Sequence, residues 1–313
     1  MKDNFIHPGP LITPVLFLIF NRPDTTQKVF NAIRQAKPKQ LFVAADGLRE
    51  DKEGEKEKCE QARKIIEQVD WDCEVKTLFR DKNLGCKIAV SSAIDWFFEN
   101  VEEGIILEDD CLPSQSFFWF CQELLKYYRN DARIMHISGD NFQFGRIRGE
   151  GSYYFSKYAH IWGWATWRKA WGCFDVNMKS FKKFKKEAQI NNVFNIKQQK
   201  KYWMKIFQRV YDDKINTWDY TWVYTCFINS GLCIMPNINL VSNIGFGIES
   251  THTQGENSIF SKMKTEEITE IIHPEFVLAD QEADLLTSKL CCGNINIFKR
   301  IVNKVTRVIS KII

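Results

Sequence analysis

The sequence predicts an α/β fold: a mostly parallel central sheet with helices on both faces. Three observations carry this. Near-continuous apolar runs recur in the first 110 residues, as strands buried on both faces do. Stretches of helical length separate them. Several of the runs end in polar groups, at Asn21-Arg22, Asp46-Gly47 and Glu108-Asp109-Asp110, which the fold gathers on one sheet edge.

The elements follow in order. Residues 14–20, PVLFLIF, read as the first strand, and Asn21-Arg22-Pro23-Asp24 as a turn. Thr25 or Thr26 is placed to cap a helix ending near Ala36. Residues 41–45 are a second strand, broken by Asp46-Gly47. Residues 49–64 carry both charge signs and read as a solvated loop and helix face. Residues 74–79 form a third strand. A helix over 87–100 has apolar spacing at Ile88, Val90, Ala93, Ile94, Phe97 and Phe98. Residues 104–107 are a fourth strand, ending at the acidic triplet.

The second half is less regular. An aromatic helix is expected over 116–128 and a strand over 133–138. The segment GWATWR leads to Trp171, and the basic stretch 179–186 precedes a polar helix over 187–214. A helix over 217–230 opens with WDYTW; 232–244 is extended, and 245–255 is a glycine-rich loop. We expect a catalytic domain over 1–288, with a nucleotide half near 12–112 and an acceptor half over 113–288, then a basic amphipathic helix over 289–313.

Composition bounds the class. The chain has 313 residues, 44% apolar and 26% charged, which excludes collagen-like, low-complexity and wholly disordered proteins. Aromatics reach 14%, with ten Trp, which suits either an aromatic core or a sugar platform. The net charge is +4, yet residues 289–313 hold six basic residues and no acid. The near-neutral body argues against a nucleic-acid partner. The apolar run over 11–20 is too short to span a bilayer, and no cleavage site follows it, so we expect a cytoplasmic protein with reduced thiols. None of the ten cysteines forms a C-x-x-C pair, which disfavours structural zinc.

Three adjacent carboxylates at Glu108, Asp109 and Asp110 repel one another, and a divalent cation relieves that repulsion. Hard oxygen donors suit Mg²⁺ or Mn²⁺, and such ions bridge to phosphates. The other reading is a polar strand end facing water. Arg22 can pair with a phosphate and Asp46 can accept from a base N–H; each also suits turn chemistry. Asp219 is either a first-turn charge at a helix start or a general base. His252 is a loop histidine suited to a metal or a phosphate, or simply exposed. His136, inside a strand, reads as structural. No G-x-G-x-x-G follows the first strand, and no P-loop, G-x-S-x-G or H-E-x-x-H motif occurs.

The motifs FNRP, DG, DKNLG, EDD, GWATWR and WDYTW occur in that order over roughly residues 12–255. This order resembles GT-A-type glycosyltransferases, and most of all the N-acetylglucosaminyltransferase I family with its bacterial relatives from surface-polysaccharide loci. The resemblance implies a metal-dependent, inverting sugar transfer from a nucleotide-sugar donor, a UDP-sugar by analogy, to a glycan or lipid-linked acceptor. It places Arg22 and Asp46 on the nucleotide, with Asp46 at the uracil edge. Lys87 stands near the family's base-contacting histidine. Glu108 and Asp109 would hold ribose and donor sugar, and Asp110 the metal, Mn²⁺ or Mg²⁺. Asp219 would be the base, and His252 would sit near the diphosphate or metal. The family's lumenal members carry a signal anchor and disulfides, neither of which we expect in this protein, and much of the family's acceptor region finds no clear match between residues 175 and 215. Alternatives are a sugar-nucleotidyltransferase, or a non-enzymatic glycan-binding or membrane-active protein. Over 296–313 one helix side is apolar and the other purely basic, so we expect peripheral attachment to an anionic membrane at the inner face of the cell membrane.

Overall fold

The computed structural model describes residues 9–246 and 259–292. Its first half alternates strand and helix: β1 (Val15–Ile19), α1 (Pro23–Ala36), β2 (Gln40–Ala45), α2 (Glu55–Lys64), β3 (Glu74–Phe79), α3 (Gly85–Asn100) and β4 (Glu103–Glu108). The second half holds β5 (Cys111–Pro113), α4 (Gln115–Tyr128), β6 (Ile134–Ser138), β7 (Tyr153–Ser156), β8 (Trp164–Trp167) and α5 (Arg168–Trp171). It continues with α6 (Phe181–Lys186), α7 (Ile190–Val193), α8 (Lys197–Tyr211), α9 (Asp219–Ile228), β9 (Leu232–Pro236), β10 (Val241–Asn243) and α10 (Gln281–Cys292).

The α/β architecture is as the sequence predicts. The main sheet runs β3-β2-β1-β4-β8-β6-β9-β7, and β5 pairs separately with β10. The first four strands are mutually parallel. Beyond β4 the sheet is mixed, because β8 runs antiparallel to both β4 and β6. β1 is buried along its whole length, which explains its unbroken apolar run.

Several elements differ from expectation. α1 starts at Pro23 with Arg22 as its N-cap; Thr25 and Thr26 instead donate their hydroxyls back to the Arg22 carbonyl. Glu108 closes β4 rather than following it. The polar helix expected over 187–214 is two helices, α7 and α8, separated at Phe194, whose backbone is extended. The short strands β5, β7 and β8 were not foreseen, and α10 crosses the 288/289 boundary. No helix among the described residues is long and apolar enough to cross a membrane.

The tryptophans resolve mostly into core. Trp164, Trp218 and Trp222 are fully buried, with Trp164 stacked on Trp218 at 5.5 Å between ring centres. His136 lies in this core. Its Nδ1 accepts from Trp222 Nε1 at 3.1 Å, and its Nε2 donates to the His160 carbonyl at 2.7 Å. That pairing fixes one neutral tautomer. The structural reading of His136 holds.

Candidate active site

Parallel register brings the strand ends together. Leu18 lies opposite Glu108, and Ile19 opposite Ala45. The residues that follow, Phe20 to Arg22, Asp46 and Asp109-Asp110, therefore emerge at one edge, where open α/β sheets bind ligands.

Arg22 is the cation of this edge. Its Nη1 lies 2.6 Å from Asp110 Oδ2 and 3.4 Å from Asp109 Oδ1. Burial opposes its charge, but Asp109 and Asp110 outweigh that and raise its pKa. Asp109 also accepts the Phe20 N–H at 3.1 Å. Glu108 titrates well above the usual carboxylate range, through burial first and then the charges of Asp110, Asp109 and Asp219. Asp109 is raised too, by burial against the opposing pull of Arg22. Three carboxylates share one guanidinium here, so the cluster carries excess negative charge in a poorly solvated place.

Backbone passes close over it. Ile244 N–H donates to the Asp110 carbonyl at 2.7 Å. A Cβ on Gly245 would stand 2.3 Å from Asp110 Oδ2, so only glycine fits there.

Asp46 has a different job from a free ligand. Its carboxylate accepts the N–H groups of Gly47 at 2.9 Å, Leu84 at 2.9 Å and Gly85 at 3.0 Å. It fixes the start of α3. Gly47 allows the approach, since a Cβ there would lie 2.2 Å from the Lys82 carbonyl carbon. Lys87 Nζ pairs with Asp213 at 2.6 Å, and its N–H donates to Asn216 Oδ1 at 2.9 Å. These bonds tie α3 to the segment leading into α9.

Asp219 opens α9. It accepts the Thr217 hydroxyl and the Tyr220 N–H. Its charge is near enough to Glu108 to help raise that group's pKa. The structure thus brings Arg22, Glu108, Asp109, Asp110 and Asp219 together and sets Asp46 and Lys87 beside them. His252 lies outside the described residues.

The sequence reading missed three participants. Cys86 sits among the carboxylates, its thiol pushed up to about 12 by burial and then by Glu108, Asp219 and Asp46. Glu55 is buried, bound by Arg49 and by Asn21 Nδ2 at 2.8 Å, although it lies in a stretch that reads as solvated. A half-buried aromatic group also flanks the site: Trp162 meets Phe246 at 5.7 Å and Phe260 at 6.1 Å, with Phe142 behind. The GWATWR motif flagged Trp162; nothing local flagged Phe246 or Phe260.

A metal of the kind the resemblance implies would meet an incomplete cage. Among the described residues no three His, Cys, Asp or Glu side chains converge as a ligand set. The excess charge around Asp110 still fits a hard divalent cation, because Mg²⁺ and similar ions commonly take one or two carboxylates, with phosphates and waters completing the shell.

No family model matches the chain, and no curated protein matches it in sequence. Solved structures do. HddC from Yersinia pseudotuberculosis is 10% identical, with 50% of this chain and 78% of that one covered and a TM-score of 0.32. The 4-diphosphocytidyl-2C-methyl-D-erythritol synthase from Anaerococcus prevotii is 8% identical, with 63% and 84% covered and a TM-score of 0.31. Mouse xyloside xylosyltransferase 1 is 10% identical, with 68% and 80% covered and a TM-score of 0.32.

Proposed function

We propose that the chain is a metal-dependent, inverting glycosyltransferase that moves a sugar from a nucleotide-diphosphate donor to a hydroxyl of a glycan or lipid-linked acceptor. One observation carries the reading: parallel register sets Arg22, just after β1, against Asp109 and Asp110, just after β4, at one sheet edge, an acid-rich pocket with a single guanidinium. Such a cation-seeking edge suits a donor diphosphate, and the Asp219 carboxylate at the start of α9 is the group we assign as general base. The order of motifs supports the same reading.

Asp110 would hold Mn²⁺ or Mg²⁺, which offsets charge on a leaving diphosphate when bound. Arg22 supplies a fixed positive charge to the same oxygens. Glu108 and Asp109 would accept from donor hydroxyls. Asp219 takes the proton of the acceptor hydroxyl as it attacks the anomeric carbon from the far side. Attack by the acceptor itself, with no enzyme nucleophile, gives inversion.

The second reading is a sugar-nucleotidyltransferase, which would normally carry a glycine-rich basic loop after its first strand. Helix α1 begins at Pro23, directly after Asn21-Arg22, with no glycine-rich basic loop after β1. A glycan-binding protein without catalysis would leave Asp219 idle. The deciding experiment is hydrolysis of a panel of nucleotide-sugars with and without Mn²⁺, read by free nucleotide diphosphate. Release of diphosphate that depends on the metal supports the transferase. Release of pyrophosphate from a nucleoside triphosphate and a sugar phosphate would replace it with the nucleotidyltransferase.

A further inference from the structure

Charge in the acceptor half is unevenly distributed. Residues 179–209 hold nine lysines and one arginine against a single acid, Glu187. Short helix α6 turns Phe181 and Phe184 inward and leaves Lys182, Lys183, Lys185 and Lys186 exposed. Helix α8 buries Gln199, Trp203, Phe207 and Val210. On its opposite side Lys197, Lys201, Lys205 and Arg209 recur every fourth residue, and all are exposed. Such a row drifts slowly around the helix, so these four cations form one ridge. Lys185 Nζ reaches Gln208 Oε1 at 2.7 Å, which joins the α6 face to α8.

Folding gives no account of this ridge. Like charges four residues apart destabilise a helix. Among the described residues, none of the ion pairs involves Lys197, Lys201, Lys205 or Arg209, and Glu187 lies 3.9 Å from Lys183. The remainder of the body, which is acidic, compensates the sum but not the local field.

We propose that this α6–α8 face docks on an anionic membrane surface. Lysine dominates it, and a compact, hydrated ammonium suits diffuse attraction to headgroups rather than the bidentate phosphate contacts that arginine makes. The Phe and Trp rings of both helices point inward, and the half-buried Tyr202 and Tyr211 pack on Trp203 and Phe181, so these helices hold no row of free rings on which nucleic-acid bases could stack. Ile196, 44% exposed at the head of the ridge, adds an apolar contact. The orientation is also productive. Helix α8 packs on α9 through Trp203 against Phe227 and Phe207 against Tyr224, so the ridge lies one helix away from the element that begins with Asp219. Docking by this face would bring the acceptor half to the headgroups. The proposal rests on the body of the protein alone and stands whether or not residues 296–313 bind membrane.

The test uses the full chain with its tail neutralised by Lys299→Gln, Arg300→Gln, Lys304→Gln, Arg307→Gln and Lys311→Gln. This protein should sediment with phosphatidylcholine–phosphatidylglycerol vesicles at low salt and not with phosphatidylcholine alone. Adding Lys197→Glu, Lys201→Glu and Lys205→Glu should lower the partition coefficient more than tenfold, with the thermal melt unchanged. If the reversals unfold the protein, Lys182→Gln with Lys183→Gln and Lys186→Gln gives the same comparison from α6. Three outcomes would overturn the proposal: no vesicle binding by the tail-neutralised chain, equal binding with the face reversed, or tighter binding to duplex DNA than to vesicles.

Discussion

Arg22 Nη1 sits 2.6 Å from Asp110 Oδ2, and the same nitrogen lies 3.4 Å from Asp109 Oδ1. A guanidinium emerging just after β1 thus meets carboxylates emerging just after β4, its parallel neighbour. The pair is mostly buried, so removing one partner strands the other's charge. Such a loss typically costs about 3–5 kcal/mol. Arg22→Met should lower the melting temperature, and Mn²⁺ should restore more of it than it adds to the native protein. Asp110→Ala should abolish Mn²⁺-dependent nucleotide binding while the fold persists. Differential scanning fluorimetry with and without metal measures both, and unchanged metal-dependent binding in the Asp110 variant would remove Asp110 from the metal's ligands.

Asp219 accepts hydrogen bonds from Thr217 and Tyr220 at the start of α9. Asparagine preserves that acceptor and removes basicity. Asp219→Asn should therefore bind donor normally and turn over roughly 10²- to 10⁴-fold more slowly, the usual share of general-base catalysis. Single-turnover transfer with a radiolabelled donor separates the two effects. Native turnover would leave Asp219 with a structural role only.

Trp162 stands edge-on to Phe246, and Gly245 beside it passes over Asp110. A half-buried ring at that place suits the apolar face of a sugar. Trp162→Ala should raise the acceptor KM about tenfold, in line with a stacking contact of order 1 kcal/mol, and leave donor hydrolysis unchanged. Steady-state kinetics varied separately in donor and acceptor would show it; a matching loss in donor hydrolysis would place Trp162 at the donor instead.

Much of the first half was legible because β1, β2 and β4 are local apolar runs and the helices between them have local periodicity. The strand β3 at Glu74–Phe79 and the end of α1 at Ala36 matched the reading. The acidic triplet was legible for the same reason: it is contiguous. Cys86 was not, because a half-buried thiol that feels the charges of Glu108, Asp219 and Asp46 is a product of distant segments meeting. Glu55 escaped for the opposite reason. Its neighbours are charged and exposed, and only the contact with Asn21 and Arg49 explains its burial. The break before α8 was hidden because Phe194 and Ile196 continue a helix-like pattern, although Phe194 closes α7 in an extended conformation and packs on Phe227.

His136 offers a pH test independent of the active site. It is fully buried, and burial, above all, holds its pKa down at about 3. In the unfolded chain the same imidazole titrates near 6.5. The folded pKa is thus depressed, so the unfolded state binds the extra proton first. Stability from this group is complete above about pH 6.5 and falls as pH drops through that value toward about 3. Other groups add slopes of their own, including Asp284, whose pKa burial raises to about 6 with the opposite sign. A comparison with His136→Gln cancels them. At pH 7 the variant should be less stable by about 1–3 kcal/mol, because Trp222 Nε1 and the His160 carbonyl lose well-placed partners. Between pH 6 and 4.5 that difference should shrink by about 2 kcal/mol, since only the native chain pays the protonation penalty. Urea unfolding at pH 7, 6, 5.25 and 4.5, the pH values about equally spaced over the window set by linkage, measures the difference directly. A constant difference across that range would mean that His136 protonates in place, and that the bond from Trp222 does not hold it neutral.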